Sequence, residues 1–185
     1  MSATTHTYTG AGTVSSGDYH SVAYVGKTKG GSPITIIMPN AFNKSNIDLG
    51  FAEKDDVVPE LEFEGCYDED TLASGDRKEP WTINYTEPST GTEAIVLGVG
   101  KFYIGTAGAT DVANMTCIGL TRGGGSFAVE REYREINADG DPGAVQGRIE
   151  KEGGRPKLKM KALQFLKNMA TLYPCLTTVP AAAQS

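Results

Sequence analysis

Phe127-Ala128-Val129-Glu130-Arg131-Glu132-Tyr133-Arg134-Glu135-Ile136 decides how this 185-residue chain folds. The stretch repeats by two. Phe127, Val129, Arg131, Tyr133 and Glu135 share one face, and Ala128, Glu130, Glu132, Arg134 and Ile136 share the other. A period of two is the signature of a β-strand. Charges stand on both of its faces, so the whole strand cannot lie inside one small core. It fits a strand with one face in water and an edge free to pair with another chain. That is a physical argument for self-association by sheet extension.

The same reading extends downstream. Asn137 to Gly147 is rich in turn residues, and Arg148 to Arg155 is charged. Lys157 to Phe165 alternates again, with Leu158, Met160 and Ala162 against Lys157, Lys159 and Lys161. Phe165, Leu166, Met169, Leu172 and Tyr173 are spaced as one face of a short helix, which Pro174 ends.

Upstream, Tyr19–Val25 and Ile34–Met38 read as strands, with a turn over Lys27–Pro33. Pro39-Asn40 is expected to stop the second strand and open a loop to Asn46. Ile47, Leu49 and Phe51 alternate, as do Val57 to Phe63, where Glu60, Glu62 and Glu64 define a solvated face. Tyr67–Pro80 reads as an exposed loop, and Trp81, Ile83 and Tyr85 as a strand. Ala94–Val99 and Lys101–Ile104 read as strand broken at Gly98 and Gly100. Gly105–Asn114 reads as a loop, and Met115–Leu120 as a short strand. The expectation is a mainly β fold, a β-sandwich or partial barrel with one short flanking α-helix. Residues 1–17 read as a flexible arm, 18–176 as one domain, 86–92 as a linker within it, and 177–185 as a disordered tail.

Chemistry is sparse. The net charge of −6 and pI near 5.0 argue against a generic nucleic-acid binder, which needs clustered cations to neutralise phosphates. Cys66, Cys117 and Cys175 are too far apart for a zinc or redox motif and read as small buried apolar residues. His20 stands beside Asp18, but two groups do not make a catalytic set. Gly98-Val99-Gly100 and Gly123-Gly124-Gly125 each lead into strand. The helix N-terminus that aims amides at a phosphate is therefore absent, and a β-bulge or close backbone contact is the expectation. Asp139-Gly140-Asp141 lacks the remaining ligands of a calcium loop and reads as a turn. No catalytic residue, metal or cofactor is expected. No apolar run is long enough to span a bilayer, so membrane insertion is not expected either. The first residues lack a basic or apolar leader, so synthesis in the cytoplasm is the expectation.

Two groups of segments resemble a known family. Ile118-Gly119-Leu120-Thr121-Arg122-Gly123-Gly124-Gly125-Ser126-Phe127, then Glu130–Ile136 and Asp139–Arg148, resemble the N-terminal half of siphophage major tail tube proteins. Met38–Asn43, Asn46–Leu49, Lys54-Asp55 and Glu79–Ile83 resemble that family's C-terminal half. Here the C-terminal-like half, 18–85, comes first and the N-terminal-like half, 93–176, second, an order that implies circular permutation. The resemblance implies hexameric rings stacked into a hollow virion tail tube. The tube would pass genomic DNA and hold the tape-measure protein, with no sequence-specific binding. It also implies that strands carrying Phe127, Val129, Glu130, Arg131, Tyr133, Arg134, Leu158, Lys159 and Lys161 form the subunit interface and lumen. Asp139, Asp141, Val145, Gln146 and Arg148 would lie on an inter-ring loop. A capsid-decoration or receptor-binding β-sandwich is the alternative expectation.

Overall fold

The computed structural model describes residues 6–28, 31–48, 58–73, 78–86, 95–136, 146–162 and 165–179. The chain is mainly β, as its alternation predicts. Among the described residues nine strands run in order: β1 (Thr7–Gly10), β2 (Tyr19–Thr28), β3 (Pro33–Asn43), β4 (Glu60–Gly65), β5 (Thr82–Tyr85), β6 (Ile95–Thr106), β7 (Thr116–Glu135), β8 (Ile149–Ala162) and β9 (Leu176–Val179). The described residues also form two short helices, α1 (Glu69–Ala73) and α2 (Met169–Leu172), and three 3-10 turns, Ser16–Asp18, Val112–Asn114 and Leu166–Asn168.

The main sheet closes on itself. Its order is β2-β6-β7-β8-β4-β3, and β3 pairs back onto β2. All these pairings are antiparallel. β5 and β4 both pair with β3, β5 along Ile34–Ile37 and β4 along Ala41–Asn43. Closure removes the edges that an open sheet would expose. The barrel interior is filled by alternate residues of each strand. Val22 and Tyr24, Ile36 and Met38, Leu61 and Phe63, Phe102 and Ile104, and Leu158 and Met160 point inward and are buried. Phe165, Met169, Leu172 and Tyr173 join this core from the α2 segment. The opposite face of β2 and β3 has its own small cluster. There Ala23, Ile37 and Met115 pack with Tyr103, Ala109 and Val112, and the buried Ser21 hydroxyl donates to the Ala109 carbonyl at 2.6 Å.

Several expectations change. Pro39-Asn40 does not stop a strand. β3 runs to Asn43, and the register between β2 and β3 shifts at this point, so the proline sits in an irregularity where no ladder amide is demanded of it. β6 is continuous through Gly98 and Gly100. A Cβ on Gly100 would overlap the ring of Tyr24, so this glycine is a close approach and not a break. β7 likewise runs unbroken through Gly123-Gly124-Gly125, with a register shift against β8 between Thr121 and Gly125. A Cβ at Gly125 would come within 2.5 Å of the Lys159 carbonyl oxygen, the expected bulge and backbone approach in one place. The helix expected over Phe165–Tyr173 is a 3-10 turn, Leu166–Asn168, followed by α2, and Leu166 is exposed, not on the apolar face. Part of the N-terminal arm and the start of the C-terminal tail are paired strand, since Thr7–Gly10 and Leu176–Val179 form an antiparallel ladder. Leu49, Phe51, Val57 and linker residues 87–92 lie outside the described residues.

Candidate functional site

β7 and β8 pair with each other from Thr121↔Ala162 to Glu135↔Ile149. Only their inner parts belong to the barrel: β6 flanks β7 at Thr116–Leu120, and β4 flanks β8 at Lys157–Lys161. Beyond these points the hairpin continues as a two-stranded ribbon. Among the described residues, no strand pairs with the outer edge of β7 from Gly125 to Glu135 or with that of β8 from Ile149 to Pro156.

The two faces of the ribbon differ. Toward the core, Gly154, Pro156 and Leu158 are buried. Phe127 packs edge-on against Trp81, with ring centroids 5.6 Å apart. Glu79 anchors this side, pairing with Lys151 and with Arg131 at 3.9 Å, and it accepts the indole N–H of Trp81. Away from the core the face is charged and exposed. Lys159 pairs with Glu62 at 2.7 Å and Lys157 with Glu130 at 2.9 Å. Arg134 pairs with Glu150 at 2.9 Å and Glu152 at 3.4 Å, and Arg155 approaches Glu132 at 3.9 Å. The bond from Lys157, reinforced by its charge, holds the Glu130 carboxyl below the usual range. The bond to Glu62 pushes the Lys159 ammonium up. Exposed pairs of this kind contribute little to stability, because water and salt screen them.

The residues expected at an interface therefore divide. Glu130, Arg134, Lys159 and Lys161 stand on the charged face. Arg131 lies on the Glu79 side, and Tyr133 is exposed opposite Lys151. Val129 stands opposite Pro156 and is half-buried. Leu158 and Phe127 turn toward the core, so their side chains are not part of an outward surface. Gln146 and Arg148 are exposed near the turn, and Asp139, Asp141 and Val145 lie outside the described residues.

Sequence reasoning missed a polar clasp between the two ends of the chain. The Asp18 carboxylate accepts from the Cys175 amide at 2.7 Å and from the Ser15 amide at 2.6 Å, and the Ser15 hydroxyl donates to it at 3.0 Å. The Ala11 amide donates to the Cys175 carbonyl at 2.6 Å. Cys175 holds a φ of 58°, a left-handed conformation that nothing local in the sequence announces. The Ser15-x-x-Asp18 spacing of a capping box was the available signal. The cysteines are not the buried residues expected. Cys117 is exposed, opposite Tyr103 on the outer face, and Cys66 and Cys175 are half-buried.

Burial raises the Asp18 carboxyl, but the bonds from Ser15 and Cys175 and the nearby His20 outweigh it and hold it below the ordinary value of 3.8. Burial lowers the His20 imidazole below 6.5, against the opposing pull of Asp18 and a bond to Gly105. Both groups bind protons more weakly folded than unfolded, so both destabilise the fold as pH falls. For Asp18 the contribution is complete above its unfolded value and disappears as pH drops through the folded one. Asp18→Asn is accordingly expected to lower the melting temperature at neutral pH. The gap from the parent chain should close as thermal scans move below pH 4.

Among the described residues, no three His, Cys, Asp or Glu side chains are placed to hold a metal ion, and no helix is long and apolar enough to cross a membrane. No family model, curated protein or solved structure matches the chain.

Proposed function

We propose that the chain is a structural subunit, not an enzyme, and that it assembles through its β7–β8 ribbon into rings stacked as a hollow tube of the phage-tail kind. The observation that carries this reading is the ribbon itself. The barrel closes without it, and its outer edges carry backbone donors and acceptors that no described strand satisfies. Edges of that length invite a second chain. Six copies around an axis would complete each other's ribbons, with the charged face turned to water, DNA and the tape-measure protein. Virion tail location follows from the same reading. Negative-stain microscopy with sedimentation of the purified chain tests it. Six-fold rings or tubes are expected, and isolated compact particles at all concentrations would favour a decoration or receptor-binding module.

The order of the two halves belongs to the same proposal. The ladder of β1 with β9 places Thr7–Gly10 side by side with Leu176–Val179. Rejoining adjacent ends leaves the contacts of a compact domain in place. A reordered chain that starts at Glu93, joins Ser185 to Met1 through a short glycine–serine linker and ends at Tyr85 is expected to fold. Its circular dichroism spectrum should match the parent's, and its thermal unfolding should remain cooperative. A chain without cooperative unfolding would contradict the permuted order.

A further inference from the structure

We propose that the β1–β9 ladder is a strap over one end of the barrel, latched at Asp18, that opens as a single unit while the barrel stays closed. The strap works in this way whether or not copies of the chain assemble. Among the described residues, β1 and β9 pair with each other and share no ladder with a barrel strand. Only four residue pairs join them. A two-stranded ribbon so short is not stable by itself, so its place depends on what fastens it to the barrel.

It is fastened near both of its ends. Toward one end, the Tyr8 hydroxyl donates to the Leu166 and Lys167 carbonyls at 3.0 and 3.1 Å. Tyr8 and Leu176 also pack on the main core cluster, to which Phe165, Met169, Leu172 and Tyr173 belong. At the other end stands the Asp18 carboxylate. One of its oxygens takes the Cys175 amide, and the other takes the amide and the hydroxyl of Ser15. The residue before β9 is thus tied to the 3-10 turn before β2. The chain from Ala11 to Ser15 wraps the same point. The Cys175 carbonyl accepts from the Ala11 amide at 2.6 Å, and the Cys175 thiol donates to the Thr13 carbonyl at 3.4 Å.

The latch works against the hinge beside it. Cys175, at a φ of 58°, occupies the left-handed region, which a side chain with a Cβ enters at a cost. Two residues earlier Tyr173 is buried, and its hydroxyl has no hydrogen-bond partner among the described residues. A buried polar atom without a partner forfeits its hydration uncompensated. Both costs flank Pro174, where α2 hands over to β9, and both relax when Asp18 lets go. The barrel has no comparable release, because its strands are tied by ladders on either side.

Hydrogen exchange of the dispersed full chain, read amide by amide by NMR in low urea, tests the strap. The amides of β1, β9, Ala11 and Cys175 are expected to exchange through one shared opening that urea promotes only weakly. The barrel amides of Phe63 and Phe102 should exchange through an opening that urea promotes steeply. Two variants probe the unit from opposite ends. Tyr8→Phe removes the phenol bonds at one end and should speed exchange of the Ala11 and Cys175 amides, at the other, by about fivefold. Asp18→Ala removes the latch and should speed the distant ladder amides of Thr7–Tyr8 and Thr178–Val179 by about tenfold or more. The amides of Phe63 and Phe102 should stay within about twofold of the parent in both variants. Faster exchange only beside each substitution would show two local contacts and no strap. An equal urea dependence for strap and barrel amides would show that the strap opens only when the whole chain unfolds. Either result overturns the proposal. Ser15→Ala, which removes one bond to Asp18, takes the place of Asp18→Ala if that variant does not fold.

Discussion

Phe63→Ala is expected to destabilise the chain by about 3–5 kcal/mol, within the range for truncating a fully buried aromatic ring. Phe63 has no exposed surface and sits where β4 crosses to β8, opposite Leu158. Its ring lies 5.5 Å from that of Phe102, which comes from the far side of the barrel on β6. The two rings bridge the interior, and a cavity there has no flexible wall to collapse into, because strands on all sides are tied into the closed ladder. The loss is a large share of the roughly 5–15 kcal/mol that holds a typical domain folded. Urea unfolding followed by circular dichroism should show a lower midpoint with an unchanged slope. Leu166→Ala, at a residue 60% exposed, should stay within about 0.5 kcal/mol of the parent. A Phe63→Ala cost no greater than that of Leu166→Ala would mean that the barrel interior is not packed around this ring.

Shortening the ribbon should separate folding from assembly. Glu132 and Gly153 are direct partners across the hairpin, so replacing residues 133–152 with Asn-Gly closes it by a two-residue turn of the favoured type. The deletion removes the exposed pairs of Arg134 and the contact of Lys151 with Glu79, and leaves the barrel ladders intact. Surface pairs of this kind sum to about 1–2 kcal/mol, which corresponds to a fall in melting temperature of only a few degrees. Assembly, by contrast, is expected to be lost, because the outer end of the unpaired edge, Tyr133–Glu135 of β7 and Ile149–Glu152 of β8, is gone. Sedimentation velocity should show a single small species at every concentration. A shortened chain that still forms rings would show that the removed tip of the ribbon is not the interface.

The fold was legible wherever period-two alternation ran without interruption. Tyr19–Val25, Glu60–Phe63 and Leu158–Ala162 appear as strands that alternate as expected, and Ile34–Met38 as the buried strand its β-branched run implied, because both patterns are local. The errors fall where long-range packing overrides a local breaker. Pro39 looks like a stop, but the neighbouring strand shifts register to accommodate it. Gly100 looks like a break, but it is small because Tyr24, 76 positions away in the chain, lies across it. Thr7–Gly10 and Leu176–Val179 look structureless because each needs the other, and nothing within either segment signals a partner at the opposite end. Of the site, the charged alternation of Glu130, Arg134, Lys159 and Lys161 was readable from the start. The anchoring role of Glu79 and the clasp at Asp18 were not, since both depend on loops brought together only by barrel closure.

Backbone amide exchange across residues 126–135, compared between dispersed and assembled chain, tests the account most directly. If neighbouring copies complete the ribbon, the outward-facing amides of β7 exchange freely in the dispersed subunit and become protected in the assembly, while those of Phe63 and Phe102 are protected in both. Particles in which the β7 edge amides exchange as fast as in the free subunit would show that the ribbon is not where copies join.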